Sequence, residues 1–584
     1  MRILLAALAA TSVLAGAAQA ASVYPLDRAT ILAGSPFDFK VELDSVVKPE
    51  DVRITVNGED YSQAFGAPAQ FVEAEQGKDG KTFGSALLLR ALKLDRPGTY
   101  TVEVSAGSEH KRVSWDVFAA PAPGRARNVI FFLGDGLSVA HRTGARLMSK
   151  GMTEGKANGR LNMDDLDHMA FIGTSSTNAI ATDSANTMSA YMTGHKTAVN
   201  ALGVYADRTP SPFDDPKVET IAEAVRRTTG KAIGVVSTAE LEDATPAAVV
   251  AHTRLRAEKA AIVGDFYAVK PDVMLGGGSA YFLAKTVPGS KRKDDKNYIE
   301  LFKDAGYTLV TDKAELAALA GGSGKVLGLF HTGNMDVTLD REFLKKGTVA
   351  KFPNQPGLVD MTRAALERLA QNPNGFFLMV EGASVDKMSH PMDWDRALFE
   401  TIEFDQAIGV AREFVKTHPD TLIVVTGDHT HGVSIIGTID DDKPGSEMRD
   451  KVGVYAAAGF PNYTDENGDG FPDRVDVSRR LAVFSSNFPD YYETFRPKLD
   501  GPFEPAVKNE KGEYVANAAY KDVPGAVLRV GNLPKDADTA VHAVDDVVLQ
   551  ATGPGADDFK GYMEESDVYR VLATALGLGA PAKP

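Results

Sequence analysis

The sequence predicts an α/β protein, with a mostly parallel central sheet flanked by helices on both faces, preceded by a small all-β sandwich. Three observations predict it. From about residue 128 onward, short continuous apolar runs alternate with amphipathic helical patterns, which is how strands covered on both faces read. Before residue 119, apolar and polar residues alternate one by one between turn signals, as in strands with one wet face. Between the two regions lies AAPAPGRAR, residues 119–127, whose Pro/Ala-rich composition reads as a linker.

The elements follow in chain order. Residues 1–20 carry a basic start at Arg2, an apolar run from Ile3 to Leu14 and the small-x-small pattern Ala18-Gln19-Ala20. That is a secretory signal peptide cut after Ala20, and it predicts a periplasmic or secreted protein. No other apolar run approaches the ~18 residues of a membrane span. In residues 21–118, Phe37, Phe39, Val41 and Leu43 alternate with polar residues. Val52, Ile54 and Val56 lead into Asn57-Gly58, a hairpin signal, and PGTYTVEV (97–104) and Val113 to Val117 alternate again. This spacing predicts an immunoglobulin-like sandwich.

The α/β domain is expected over 128–584. Its apolar runs are NVIFFLGDG (128–136), KAIGVVSTAE (231–240), DVMLGGG (272–278), GFFLMVEG (375–382) and TLIVVTGDH (421–429). VETIAEAVRRTTG (218–230) and MTRAALERLAQ (361–371) read as helices between them. Three runs end in an acid: Asp135, Glu381 and Asp428. Ligands bind at the carboxyl ends of strands in open α/β sheets, so these acids should converge. Residues 432–541 are less regular and read as an insertion in this domain.

Composition narrows the chemistry. The chain has 584 residues and no cysteine, so any metal must sit on histidine and carboxylate. Its 63 basic and 79 acidic residues give a net charge of −16, which argues against nucleic acid or an anionic membrane as partner. In EGASVDKMSH, Asp386 and His390 stand four apart and can face one metal from a single helical turn. Asp428-His429 offers an oxygen and a nitrogen ligand directly after a buried strand. Acids beside histidines at strand ends, in a chain with 11 histidines, point to a metal centre. His431 and His195 are read as non-ligands.

The stretch ATDSANTMSAYMTG, residues 181–194, opens a small-residue helix with Asp183-Ser184. Serine is a weak nucleophile until activated. The histidines flanking this stretch are His168 and His195, so a metal is the expected activator. Separately, TDENGDGFPDRVD places Asp465, Asn467, Asp469, Asp473 and Asp476 at positions 1, 3, 5, 9 and 12 of an EF-hand-type loop, with Gly470 at position 6. Position 12 is Asp rather than Glu, and helical flanks are not obvious. The expectation is a structural calcium ion, Ca2+.

These motifs resemble the alkaline phosphatases. GDG at 134–136, DSANTMSAYMTGHKT at 183–197, STAELEDATPAAVVAH at 237–252, VEGASVDKMSH at 380–390, TGDHTHG at 426–432 and the late His542 occur in that family's order. The resemblance covers roughly residues 125–584 apart from the insertion. It implies two Zn2+ ions and one Mg2+ ion. Asp386, His390 and His542 resemble the ligands of one zinc, and Asp135, Asp428 and His429 those of the other. Asp135, Asp243, Thr245 and Glu381 resemble the magnesium ligands. Ser184 resembles the phosphorylated nucleophile and Arg256 the phosphate clamp, although HTRLR also offers Arg254. Lys387 and Asp183 resemble charges that support the site. His542 stands in His-Ala-Val, where the family more commonly has His-Thr-Gly.

The implied function is hydrolysis of small phosphate monoesters through a phosphoserine. Two metals about 4 Å apart suit such an in-line displacement, because they stabilise both the attacking and the leaving oxygen. The resemblance also implies a homodimer, an interface that the sandwich or the insertion could block. Two other readings stand beside this one. A phosphodiesterase of the same superfamily is disfavoured by the third metal's ligands. A calcium-dependent binding protein with a decayed catalytic domain is disfavoured by the intact ligand set.

Overall fold

The apolar runs become the middle of one mixed sheet. The computed structural model describes residues 21–76, 80–319, 321–443 and 452–579; the signal-peptide reading falls on residues 1–20, outside them. In chain order the sheet's strands are β1 (Asn128–Gly134), β2 (His168–Gly173), β3 (Ala232–Glu240), β4 (Val273–Gly277), β5 (Tyr307–Val310), β6 (Lys325–Leu329), β7 (Phe376–Gly382), β8 (Thr421–Gly427), β9 (Val547–Thr552) and β10 (Gly561–Glu564). Their spatial order is β5-β6-β4-β3-β7-β1-β8-β9-β2-β10. Among these strands only β9 runs against the rest.

Every residue of β1, β3, β7 and β8 is buried, as continuous apolar runs require. Alternate side chains supply the two faces. Val129 and Phe131 pack with Met188 and Tyr191 of the helix Ser184–Thr193 and with Leu572 of the helix Glu565–Leu576. Ile130 and Phe132 pack with Leu366 of the helix Leu358–Leu369 and Ile402 of the helix Trp394–Val415. The register brings the strand ends level: Gly134 pairs with Gly382 and with Gly427, and Glu381 pairs with Leu133 and Ser237.

The N-terminal region forms two sheets. Ser22–Tyr24, Phe37–Glu42, Ala86–Leu92 and Gln70–Val72 make one, all antiparallel. Thr30–Leu32, Glu109–Phe118, Gly98–Ala106, Val52–Val56 and Glu59–Asp60 make the other, in which the Thr30 strand pairs in parallel. Trp115, Phe39 and Val102 are fully buried between them. Asn57 and Gly58 both take positive φ, as a two-residue hairpin turn demands. Tyr205 and Val218 of the catalytic region enter this core, and Phe37 pairs with Val218 as an isolated bridge. The buried Lys40 ammonium closes the junction, 3.0 Å from Glu42, 2.8 Å from Glu75 and 2.6 Å from Asp207.

The described residues of 432–541 form short ribbons, chiefly Val433–Asp440 paired with Arg479–Ser485. The ends of the segment meet: Thr430–His431 pairs with His542–Ala543, placing His431 opposite His542. The 465–476 loop lies here. Asp465 accepts from the amides of Gly468 and Gly470, Asn467 from Asp469, Asp469 from Phe471 and Asp473 from Glu466. Asp476 lies 4.0 Å from Arg480. Among the described residues, the groups of three or more acids and histidines with ligand atoms within 4.8 Å of one another lie elsewhere.

Candidate metal and phosphate site

Four adjacent strands deliver the site. β1 leads directly into Asp135, β7 carries Glu381, β8 leads into Asp428 and His429, and β3 runs on to Asp243 and Thr245. Gly136 turns the chain after Asp135 at φ +70°, and a Cβ there would stand 2.8 Å from the His431 ring. A glycine therefore meets both the backbone and the space requirement. Its amide donates to Asp428 Oδ1 at 3.0 Å, tying two of the converging acids together.

Asp183 is the N-cap of the Ser184–Thr193 helix, forming a reciprocal capping box with Asn186. The cap puts Ser184 at the first helical position, buried, with Oγ 3.3 Å from Asp135 Oδ1 and 3.2 Å from His429 Nε2. Asp386 lies in the short helix Ser384–Ser389, with His390 as its C-cap. Three imidazoles face Asp386 Oδ1: His431 Nε2 at 2.6 Å, His542 Nε2 at 3.3 Å and His390 Nε2 at 3.4 Å. His390 Nδ1 lies 2.7 Å from the Ala540 carbonyl and His542 Nδ1 2.8 Å from that of Thr182. A carbonyl only accepts, so each Nδ1 carries a proton and each Nε2 is the nitrogen turned toward Asp386.

Charge in the pocket is unbalanced. Burial and the Asp135 charge push the Glu381 and Asp428 carboxyls well above the usual carboxylate range. Burial would raise Asp386 as well, but His390, His431 and His542 hold it well below that range. Burial works against a charged His542, yet Asp386 raises its pKa to about 9. Thr245 Oγ1, Asp428 Oδ2, His429 Nδ1 and His431 Nδ1 are buried without a hydrogen-bond partner. Buried polar atoms of this kind need an account. Oxygen and imidazole donors crowded around excess negative charge fit metal cations. Asp386, His429, His431 and His542 form one group of converging donor atoms, and Asp135, Asp428 and His429 another.

Asp243 lies beside this pair. Its Oδ2 accepts from Lys387 Nζ at 2.8 Å and its Oδ1 from Arg256 Nη2 at 3.1 Å. Arg256 Nη1 also donates to Asp183 Oδ2 at 3.2 Å, so the guanidinium bridges the site's two flanks. Arg254 is turned away, donating to the Asp207 carbonyl with its other end 3.8 Å from Asp215. His195 is buried 2.6 Å from Tyr205 Oη, outside the cluster.

A model of the family described as "Alkaline phosphatase" matches residues 126–578. The chain belongs to the alkaline phosphatase family. It is a phosphoric monoester hydrolase by that membership. It is 30% identical to alkaline phosphatase 4 of Bacillus subtilis (strain 168) over 493 residues, 81% of this chain and 95% of that protein. It is 33% identical to the alkaline phosphatase of Escherichia coli (strain K12), over 59% of this chain and 78% of that one. Among solved structures, the Thermus thermophilus alkaline phosphatase aligns with a TM-score of 0.55 at 23% identity, covering 79% of this chain and 93% of that one. The alkaline phosphatase of the Antarctic bacterium TAB5 gives 0.53 at 22% identity, over 78% and 99%. These structures share the fold.

Sequence reasoning set His431 aside, and the structure places it against Asp386. A signal was available: Asp428-His429-Thr430-His431 places a second histidine two residues after His429, close behind a buried strand. Lys259, 3.9 Å from Asp243, carried no signal, since it is one lysine near the start of a helix.

Proposed function

We propose that this site hydrolyses phosphate monoesters through a phosphoserine on Ser184, with two zinc ions and one magnesium ion as resident cofactors. The observation that carries it is the convergence of the His390 and His542 Nε2 atoms on Asp386 Oδ1. Asp386, His390 and His542 would hold one zinc, and Asp135, Asp428 and His429 the other. Asp135, Asp243, Thr245 and Glu381 would hold magnesium, giving Thr245 Oγ1 the partner it lacks. The bound metals supply a lowered pKa for the serine hydroxyl and positive charge opposite the leaving oxygen.

The chain's own groups supply the rest. The capping box fixes Ser184 at the start of its helix, where free backbone amides favour a phosphoryl group. Ser184 Oγ forms the new bond to phosphorus as the ester oxygen leaves. Water then displaces Oγ and releases phosphate. Arg256 presents a planar fork to two phosphoryl oxygens, and Asp183 and Asp243 hold that fork in orientation. Lys387 offsets the charge of Asp243. The signal-peptide pattern adds export to this reading, and the 465–476 spacing adds a calcium ion in the insertion. Metal content of purified protein, measured beside turnover of a phosphate monoester and a diester, tests it. Metal-free protein, or a preference for the diester, rejects it.

A further inference from the structure

A basic cluster beside the site has no part in that chemistry. Lys259 begins the helix Lys259–Val269 and forms an ion pair with Glu240. Its Nζ also stands 3.9 Å from Asp243 Oδ1, the oxygen that Arg256 holds. Lys291 Nζ lies 3.7 Å from the other Glu240 oxygen. Both ammonium groups sit over the ring of Tyr281, Lys259 at 5.9 Å and Lys291 at 5.5 Å from its centroid. The Lys259 side chain is 22% exposed and that of Lys291 56%.

Positive charge therefore continues outward from Arg256 through Lys259 to Lys291. Asp243 is already matched by Arg256 and Lys387. Lys259 faces Glu240, Asp243 and the buried Glu242, while Lys291 shares Glu240 with it and is more than half exposed, so the charge of Lys291 is the less matched of the two. Tyr281 presents its aromatic face to both ammonium groups.

We propose that Lys259 and Lys291 form a second anion subsite, which receives an additional phosphate group on the substrate while Arg256 holds the phosphate being cleaved. The substrate class is then phosphate esters with two phosphate groups, such as sugar bisphosphates. This rests on the reading of Arg256 as the clamp. No covalent step is added; the subsite acts by binding alone.

Fructose 1,6-bisphosphate and fructose 6-phosphate differ by the second phosphate, and kcat/KM for the two gives the test. In the wild-type holoenzyme the bisphosphate should exceed the monophosphate by more than the statistical factor of about two, mainly through KM. The ratio should fall about threefold in Lys291→Gln and about tenfold in Lys259→Gln/Lys291→Gln, the scale of partly exposed charge contacts. It should also shrink as salt rises. A wild-type ratio at or below two overturns the subsite. So does an equal loss on both esters, because Lys259 would then only position Asp243. Absence of turnover on fructose 6-phosphate rejects the phosphatase reading itself, whereas turnover with an unchanged ratio in the variants rejects the subsite alone.

Discussion

The Nε2 atoms of His390 and His542 lie 3.2 Å apart, although 152 residues separate them in the chain. Each ring's Nδ1 is committed to a backbone carbonyl. Both Nε2 atoms therefore face Asp386 Oδ1 and each other, an arrangement that calls for a cation among them: a proton on His542 in the metal-free protein, or a metal ion. His542→Ala and His390→Ala should each lower zinc content by about one equivalent in elemental analysis, with a weaker remaining site. Native zinc in both variants would reject the assignment.

Ser184→Ala should leave metal content near native, because the hydroxyl is proposed as nucleophile and not as ligand. Monoester turnover should drop by about two orders of magnitude or more, the scale of losing a covalent route. Rapid-quench labelling with radioactive phosphate should find no phosphoprotein in the variant. Label retained in it would move the nucleophile elsewhere.

Arg256→Ala should weaken inhibition by inorganic phosphate about tenfold or more, since charge-assisted hydrogen bonds contribute about 1.5–3 kcal/mol each. Arg254→Ala should change it little, because that guanidinium faces the Asp207 carbonyl and Asp215. The reverse ranking in a phosphate-inhibition assay would make Arg254 the clamp.

Calcium should raise the melting temperature of the wild type, following RT ln(1 + [L]/Kd) for a ligand of the folded state. Asp469→Ala/Asp473→Ala should remove that rise and leave zinc content unchanged. Identical calcium titrations for the two proteins would eliminate the ion from the insertion.

Asp215 is buried, with one oxygen accepting from the Asp207 amide and the other without a partner. Burial pushes its carboxyl up to about 7. Between the unfolded value near 4 and this folded value, the native state binds the extra proton, so stability falls as pH rises. Asp215→Asn lacks that slope. The melting-temperature difference, variant minus wild type, should therefore grow from pH 4 to 7 and level off above. A flat difference across that window would contradict the assignment.

The sequence by itself determined the catalytic sheet's middle and the composition of the site. The continuous runs at 128–136, 231–240, 375–382 and 421–429 are long, apolar and buried on both sides, so their state is fixed locally. The acids that end them are legible for the same reason, because a buried strand delivers its next residue to the sheet's carboxyl edge. The helix Trp394–Val415 had no such signature. Arg396, Glu400, Glu403 and Asp405 are buried along it with Leu398 and Ile402, which erases the apolar stripe. Arg396 is held there by Asp393 at the helix's own N-cap and by Asp340, a partner that only the folded chain supplies.

Tertiary structure decided which histidines and arginines meet. His542 reaches Asp386 because the Thr430–His431 strand pairs across the base of the insertion with His542–Ala543. That pairing also brings His431 within 2.6 Å of Asp386, a contact that the order of residues alone does not announce. Arg256 and Arg254 differ by two positions, and nothing local separates them. They part because Arg256 finds Asp183 and Asp243 while Arg254 finds the 207–215 loop that packs on the sandwich. Local patterning sets which residues stand at a strand end. Long-range burial and ion pairing choose the partners they face, because those terms depend on groups outside the local segment.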